Sequence, residues 1–119
     1  MNKKAQFRYY RLIQHINYLD RRDGMVKIYP NNSYIHELVK FQVSYKLKKQ
    51  GYVVFTECRF TDGGRADIVA FSKSGEGYII EILNSESIER YNQKLNKYPI
   101  EFDMVSVQTK GFEIDKWEL

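Results

Sequence analysis

Cysteine, histidine and proline are scarce in this chain of 119 residues. It contains one cysteine, Cys58, two histidines, His15 and His36, and two prolines. A single cysteine excludes a disulfide framework and a cysteine-rich zinc site, and it fits a reducing environment. Two histidines argue against a histidine-based metal centre, and we interpret His36 and Cys58 as ordinary structural residues.

Long apolar runs are absent as well. No stretch approaches the ~20 apolar residues that a membrane-spanning helix needs, and the polar N-terminus does not have the pattern of a signal peptide. We therefore expect a soluble cytoplasmic protein that has no contact with a membrane. The length predicts a single domain over residues 1–119.

Charge is distributed unevenly along the chain. Residues 1–50 carry 11 Lys and Arg against 3 Asp and Glu, whereas residues 51–119 carry 8 against 12. A basic half can attract a polyanion, and an acidic half can concentrate a cation. The alternative is that these charges belong to solvated helix faces, and charge alone does not decide between the two.

Hydrophobic periodicity predicts three helices, over residues 4–20, 34–50 and 85–98. Each has an apolar stripe at spacings of three and four residues, and we expect these stripes to face the core. For the second helix the stripe is Tyr34, Leu38, Phe41 and Tyr45, with Glu37 on its shoulder. For the third helix, Ser85 is the predicted N-cap, and Glu86 and Glu89 suit its first turn.

Apolar and alternating runs predict the strands. A short one is expected in "MVKIY" (25–29), three follow in "YVVFTECRF", "ADIVAF" and "YIIEIL", and "FDMVSV" comes after the third helix. A strand that returns after a helix is usually parallel to its neighbour. The order predicts an α/β fold with a mixed central sheet flanked by helices, ending in an edge strand or tail.

Two carboxylates stand in runs that are otherwise apolar. Asp67 begins "DIVAF", and Glu81 lies inside "YIIEIL". An ionised carboxylate in a buried strand is unfavourable by several kcal/mol unless it is paired or bound to a metal. These two residues are therefore the first candidates for a functional site.

The order of these acids resembles the PD-(D/E)XK nuclease superfamily, and most closely its small archaeal Holliday-junction-resolvase-like branch. The residues that carry the resemblance are Glu37 in "HELVKFQVSYKLKKQGY", Asp67 in "GGRADIVAF" and Glu81 in "YIIEILNSE". The resemblance covers residues 34–107 and implies a restriction-endonuclease-like αβββαβ core. Residues 1–30 lie outside it as an N-terminal extension that adds a further helix.

The resemblance implies a Mg²⁺ or Mn²⁺ site. Asp67, Glu81 and the backbone carbonyl of Ile82 would be the metal ligands, and Glu37 would complete an acidic catalytic cluster. Such hard cations take oxygen ligands, often only one or two carboxylates with water and phosphate. In the alternative, Asp67 closes the "GGR" turn or pairs with Arg65, Glu81 pairs with a helix lysine, and Glu37 lies on a solvated helix shoulder.

The lysine of the family motif is missing. It would stand two residues after Glu81, on the same strand face, where this sequence has Leu83. A preorganised charge at the transition state is worth ~10²–10³ in rate. Either Lys94 on the third helix or Arg65 replaces the lysine, or catalysis has been lost; we place Lys94 with the catalytic candidates.

The N-terminal "KKAQFRYYR" mixes cations with aromatics, as nucleic-acid-binding surfaces do. We expect Arg65 and the helix cations to contact DNA, unless the helix is simply packed in the core; these helix residues are Lys3, Lys4, Arg8 and Arg11. The function we expect is a metal-dependent DNA nuclease that is a homodimer and needs no small-molecule cofactor. The alternatives are an inactive nuclease-like fold that binds DNA or assembles with a partner, and a protein-interaction module.

Overall fold

The computed structural model describes residues 1–84 and 88–119. Its helices are α1 (Lys3–Ile13), α2 (Tyr34–Lys49) and α3 (Ile88–Leu95), and its strands are β1 (Val53–Arg59), β2 (Arg65–Phe71), β3 (Gly77–Leu83) and β4 (Asp103–Gln108). Short 3₁₀ turns cover Tyr18–Asp20 and Ile114–Lys116. The predicted N-cap Ser85 and the predicted first-turn residue Glu86 lie outside the described residues.

The four strands form one mixed sheet in the order β1-β2-β3-β4. The first two pairings are antiparallel, and β4 lies parallel to β3 after the crossover through α3. This confirms the predicted α/β class, the mixed sheet and the parallel fourth strand.

The core consists of two apolar clusters that contain alternate residues of the strands. On β2, Val69 and Phe71 belong to the first cluster, and Ile68 and Ala70 belong to the second. Helix α1 contributes Leu12 and Ile13 to the first cluster, and α2 contributes its buried valines and leucine to the second. The N-terminal helix is therefore packed in the core along one side, whatever its exposed side contacts.

Helix α2 begins and ends within one residue of the predicted bounds, but the face that packs on the sheet is the one opposite to the prediction. Ser33 caps it by accepting a hydrogen bond from the backbone of His36, and Gly51, with φ +91°, follows its end. The face turned to the sheet carries His36, Val39, Lys40, Val43, Ser44 and Leu47. The predicted core stripe is wrong, because Tyr34 is 81%, Phe41 49% and Tyr45 57% exposed. Both faces of α2 carry apolar residues at helical spacing, so the spacing alone does not select the face that packs on the sheet.

The first helix and the segment 25–29 also differ from the prediction. Helix α1 ends at Ile13 rather than at residue 20, because the chain turns to form a bridge between Ile16 and Phe60; Leu19 is consequently exposed. The segment 25–29 is not a strand. It runs along the edge of β1 and is held there by a side chain instead of by backbone pairing. The hydroxyl of Thr56 accepts from the backbone N–H of Lys27 and donates to the backbone carbonyl of Met25.

The last nine residues form a 3₁₀ turn and a tail instead of an edge strand. Phe112, Trp117 and Leu119 pack against the second cluster, and the Lys46 ammonium donates to the backbone carbonyls of Ile114 and Trp117. None of the helices within the described residues has the length and apolar character needed to cross a lipid bilayer.

Candidate active site

The two predicted acids meet where β2 and β3 separate. These strands pair from Ile68–Ile80 to Phe71–Gly77, and the same register continued by one step would set Asp67 opposite Glu81. At that point the Asp67 carboxylate accepts a hydrogen bond from the backbone N–H of Ile82 at 2.8 Å. The Asp67 side chain thus takes the place of a backbone hydrogen-bond acceptor on β2, and a notch between the two strands lies at this point.

The notch is part of a polar cleft of about 390 Å³. The N-terminal end of α2, the start of β2, the end of β3 and α3 all contribute to its walls. Its lining residues are Asn31, Asn32, Ser33, His36, Arg65, Asp67, Glu81, Ile82, Asn84 and Lys94. Five of the predicted site residues therefore share one cleft: Arg65, Asp67, Glu81, Ile82 and Lys94.

Asp67 is held as an anion. Its Oδ2 lies 3.3 Å from Nε2 of His36 and also accepts from Ile82. Burial raises the pKa of this carboxyl, but hydrogen bonds from His36, Glu81 and Ile82 outweigh burial and leave the pKa below its usual value. The alternative partner Arg65 forms no ion pair with Asp67 among the described contacts; it pairs with Glu57 instead.

Glu81 is held as a neutral acid. Its side chain is 1% exposed, and burial together with the charge of Asp67 raises its pKa to about 9. The hydroxyl of Tyr98 lies within hydrogen-bond distance of Oε1 of Glu81 and of the backbone carbonyl of Arg65, at 2.8 Å in the second case, and can donate its one proton to either. Because Asp67 is charged and Glu81 is not, the pair holds one proton between two carboxylates.

Tyr98 was not among the predicted site residues. It lies at the end of the predicted third helix, and its ring packs against Gly64, where a Cβ would come within 2.8 Å of a ring carbon. Glycine at this position lets the ring approach the start of β2 and reach Glu81. The only signal in the sequence was a tyrosine in line with an apolar stripe, which predicts packing and not a contact with a carboxylate.

Glu37 lies one step away from the cleft. Its carboxylate accepts from the backbone of Tyr29 at 3.0 Å, from Asn32 at 2.9 Å and from Lys40 at 2.7 Å. It reaches Asp67 only through the imidazole of His36, whose Nδ1 is 3.2 Å from Glu37. The structure therefore does not bring Glu37 directly together with Asp67 and Glu81.

His36 is the site residue that the sequence analysis treated as ordinary. Burial lowers the pKa of its imidazole, but the hydrogen bonds and charges of Asp67 and Glu37 raise it above the usual value. When it is protonated, an imidazole between these two carboxylates neutralises one of their charges at the base of the cleft. The signal was present in the sequence: the spacing of Val39, Val43 and Leu47 turns His36 inward as well.

Behind His36 lies a buried lysine. Lys40 is 0% exposed, and its ammonium donates to the carbonyl of Lys27 at 2.6 Å and to Glu37 at 2.7 Å. It also lies 3.5 Å from the carboxylate of Glu57. Lys40 thus supplies a positive charge to Glu37 and Glu57, which lie between α2 and the sheet.

Glu57 has an unusual backbone conformation. Its φ is +50°, which a non-glycine residue rarely adopts, and this turn places its side chain on the α2 side of β1. The side chain is 8% exposed, and neither carboxylate oxygen has a hydrogen-bond partner among the described residues. Burial is the largest cause of its raised pKa. Strained backbone of this kind concentrates at functional sites.

Two cations stand on the cleft walls. The Arg65 guanidinium lies 3.9 Å from the ring centroid of Tyr29 and 3.6 Å from Glu57, so its position is fixed from two sides. Lys94, on α3, also lines the cleft, and its charge lowers the pKa of Glu81. Leu83, at the position of the family lysine, is buried and 3% exposed.

The basic residues of α1 lie far from this cleft. Arg8 donates to the carbonyl of Ser74 in the turn between β2 and β3, and Ala5 lies against Gly75 in the same turn. That turn is at the opposite end of β2 from Asp67, roughly 15 Å away at ~3.3 Å per residue. Lys3, Lys4, Arg8 and Arg11 are exposed there.

The cleft offers oxygen ligands for a hard divalent cation. Asp67 and Glu81 provide two carboxylates, and Ile82 turns its N–H, and with it its C=O, toward the same gap. Within residues 1–84 and 88–119, no group of three or more His, Cys, Asp or Glu side chains converges as a metal site. The carboxylates of Asp67 and Glu81 are thus the acidic oxygen donors in the cleft that could hold a hard divalent cation.

Comparisons with known proteins give no assignment for this chain. No family model, no curated protein and no solved structure matches it.

Proposed function

We propose that this chain is a metal-dependent nuclease that hydrolyses phosphodiester bonds in DNA, with a core of the restriction-endonuclease type. The observation that carries the proposal is the meeting of Asp67 and Glu81 in a cleft whose walls carry Arg65 and Lys94. Carboxylates for a cation and cations for a phosphate are both needed for this reaction, and the cleft offers both.

A divalent cation bound by Asp67, Glu81 and the Ile82 carbonyl would polarise the phosphodiester and lower the pKa of a bound water. The protein's own groups have separate tasks. Arg65, held by Tyr29 and Glu57, binds a phosphate oxygen in a fixed orientation, and Lys94 adds charge from α3. Tyr98 orients Glu81, and His36 keeps Asp67 ionised.

A second candidate is a non-catalytic DNA-binding protein with the same fold. The observation that favours it is that both acids are already satisfied, Asp67 by His36 and Ile82, and Glu81 by Tyr98, while Leu83 replaces the motif lysine. In this alternative the pair is a structural remnant, and Arg65 and Lys94 bind phosphate only.

The deciding experiment is a cleavage assay with linear and branched DNA in Mg²⁺, in Mn²⁺ and with chelator. We expect metal-dependent cleavage that falls at least ~10²-fold in Asp67→Asn and Glu81→Gln. Asp103→Asn, an exposed aspartate at the start of β4, is the matched control and should cleave normally. A wild type that binds DNA in a salt-dependent manner but never cleaves supports the second candidate. A wild type that does neither removes both.

A further inference from the structure

The outer face of α2 carries an apolar seam that nothing in the described chain covers. Tyr34, Leu38, Phe41 and Tyr45 follow one another at spacings of four, three and four residues. This is the 3.5-residue repeat of a helix that pairs with another helix, because the stripe stays on one side of a slightly supercoiled helix. A helix that is apolar on both faces is normally buried on both faces.

The seam borders an apolar groove of about 620 Å³. Val26, Ile28 and Pro30 form the other wall, and among the groove residues only Asn32 and Glu37 are polar. Ile28 is 80% exposed and Tyr34 81%. The surface therefore combines the seam of a helix pair with a flanking apolar strip from the segment 25–30.

We propose that this face is the contact surface between two copies of this chain, with the α2 helices antiparallel about a two-fold axis. A two-fold axis between Leu38 and Phe41 would set Tyr34 of one copy beside Tyr45 of the other. One patch then serves both copies, as a two-fold interface requires. This inference does not rest on the proposed nuclease activity.

The exposed area matches what such a dimer needs. The exposed parts of Ile28, Tyr34, Phe41 and Tyr45 amount to on the order of 500 Å² per copy, since large side chains bury ~150–250 Å² each. A standard interface buries ~800 Å² per partner, of which ~57–65% is apolar. The apolar share of a stable interface is thus present on this one face.

Charge argues for a second copy rather than a nucleic acid. The groove is lined by no lysine or arginine among the described residues. The cation next along the seam, Lys48, is neutralised by Asp23 at 2.6 Å. A polyanion needs cations beside its aromatic contacts, and this face lacks them. The C-terminal tail packs on the sheet side of α2, and α1 packs against the other cluster, so neither covers the seam.

The test is the mass of the whole chain in solution, by light scattering and sedimentation equilibrium. We expect a dimer in the wild type and at least ~100-fold weaker association in Phe41→Glu and Tyr45→Glu, which bring carboxylates into an apolar contact. Phe7→Glu is the matched control, because Phe7 is 72% exposed on α1. Circular dichroism melts report whether each variant folds; Phe41 is half exposed, so the fold should be retained.

The antiparallel arrangement has its own test. Tyr34→Glu and Tyr45→Lys should each weaken self-association, whereas an equimolar mixture of the two should dimerise, because the new charges face each other across the axis. Failure of the mixture to recover, with both variants folded, overturns the antiparallel arrangement.

A monomeric wild type at ~100 µM overturns the dimer. A dimer that Phe7→Glu dissociates and Phe41→Glu does not would also overturn it. A monomer whose affinity for single-stranded DNA falls in Phe41→Glu would make the seam a base-stacking surface instead.

Discussion

The imidazole of His36 lies between two carboxylates, 3.3 Å from Asp67 through Nε2 and 3.2 Å from Glu37 through Nδ1. The helix and the sheet are therefore joined at the cleft by a group whose charge depends on pH. Asp67 keeps its negative charge because His36 faces it, and Glu81 keeps its proton because it is buried and lies beside the charged Asp67.

His36 makes stability depend on pH. Its raised pKa means that the imidazolium stabilises the fold fully below the unfolded pKa near 6.5, and that this contribution is lost as pH rises through the folded pKa. We expect His36→Gln, without added metal, to be destabilised more at pH 6 than at pH 9, as measured by urea unfolding. His15→Gln, at the half-exposed His15, is the control; a gap for His36→Gln that does not change with pH would contradict the prediction.

Metal binding should be visible without any cleavage. A cation that binds the native state stabilises it by about 2.7 kcal/mol at a concentration of 100 Kd. We expect Mn²⁺ to raise the melting temperature of the wild type and to have little effect on Asp67→Asn, whose side chain keeps an acceptor for the Ile82 N–H but lacks the charge. An identical rise in both proteins would show that Mn²⁺ binds elsewhere.

Asp20 gives the fold an acid-sensitive anchor. It accepts from the backbone N–H of Arg59 at 2.9 Å and from Lys27 at 3.1 Å. Burial raises the pKa of Asp20, but the hydrogen bonds from Arg59 and Lys27 hold it at about 2. A folded pKa below the unfolded value of ~3.9 stabilises at neutral pH, and this stabilisation is lost as pH falls from about 4 to 2.

We therefore expect Asp20→Asn to reduce the free energy of unfolding by about 1–2 kcal/mol at pH 7 and by about half as much at pH 3, which lies midway between the folded and unfolded pKa values. Asp62→Asn, in the exposed turn before β2, should change neither value. Urea titrations at the two pH values measure the difference. An equal loss at both would mean that Asp20 acts through packing and not through its charge.

Lys40 should be needed for the fold rather than for the reaction. Removing one partner of a buried ion pair destabilises by ~3–5 kcal/mol, because the remaining charge is left uncompensated. Lys40→Met removes the buried cation that Glu37 and Glu57 share, and the double variant Lys40→Met/Glu57→Gln should recover part of the loss. Lys49→Met, on the exposed end of the same helix, is the control for helix propensity. Unfolding free energies of Lys40→Met and wild type within 0.5 kcal/mol of each other would refute the role.

The sequence predicts the order of elements well and the faces of α2 poorly. Val39, Val43 and Leu47 form as good a stripe as Tyr34, Phe41 and Tyr45, and periodicity alone does not rank two apolar faces. The choice depends on shape, since small β-branched side chains let a helix approach a sheet. The same error concealed His36 and Lys40, which lie on the face opposite to the predicted core stripe.

The sequence was enough to predict that Asp67 and Glu81 lie close together, but not which of the two carries the proton. Asp67 and Glu81 stand out as charges in apolar runs, and hairpin pairing brings them together. The contacts that set their charge come from distant positions: His36 in α2, Tyr98 after α3, and Lys94 in α3. The positive φ of Glu57 has no signal in "TECRF", because a glutamate in a strand run predicts regular alternation.

Lys94 and Leu83 are the two residues on which the proposed catalysis can be tested. Lys94 lines the cleft and acts on Glu81 through its charge, whereas Leu83 is buried at the position of the motif lysine. If Lys94 has taken over the missing charge, Lys94→Ala should lower cleavage ~10²–10³-fold and leave DNA binding nearly unchanged, because its effect is felt in the transition state. Lys97→Ala, an exposed lysine after α3, is the matched control.

Arg65→Ala should behave differently from Lys94→Ala. The Arg65 guanidinium is held by Tyr29 and Glu57 before any substrate arrives, so it would bind phosphate in the ground state, and its loss should weaken DNA binding and reduce the salt dependence. Filter-binding titrations at two salt concentrations, with single-turnover cleavage rates, separate the two roles. If Lys94→Ala and Arg65→Ala both cleave at the wild-type rate, the charge has not moved to either residue.

If the wild type is inert, Leu83→Lys is the variant to examine. Its ammonium would enter a site that is 3% exposed, so recovered cleavage should come with a loss of stability.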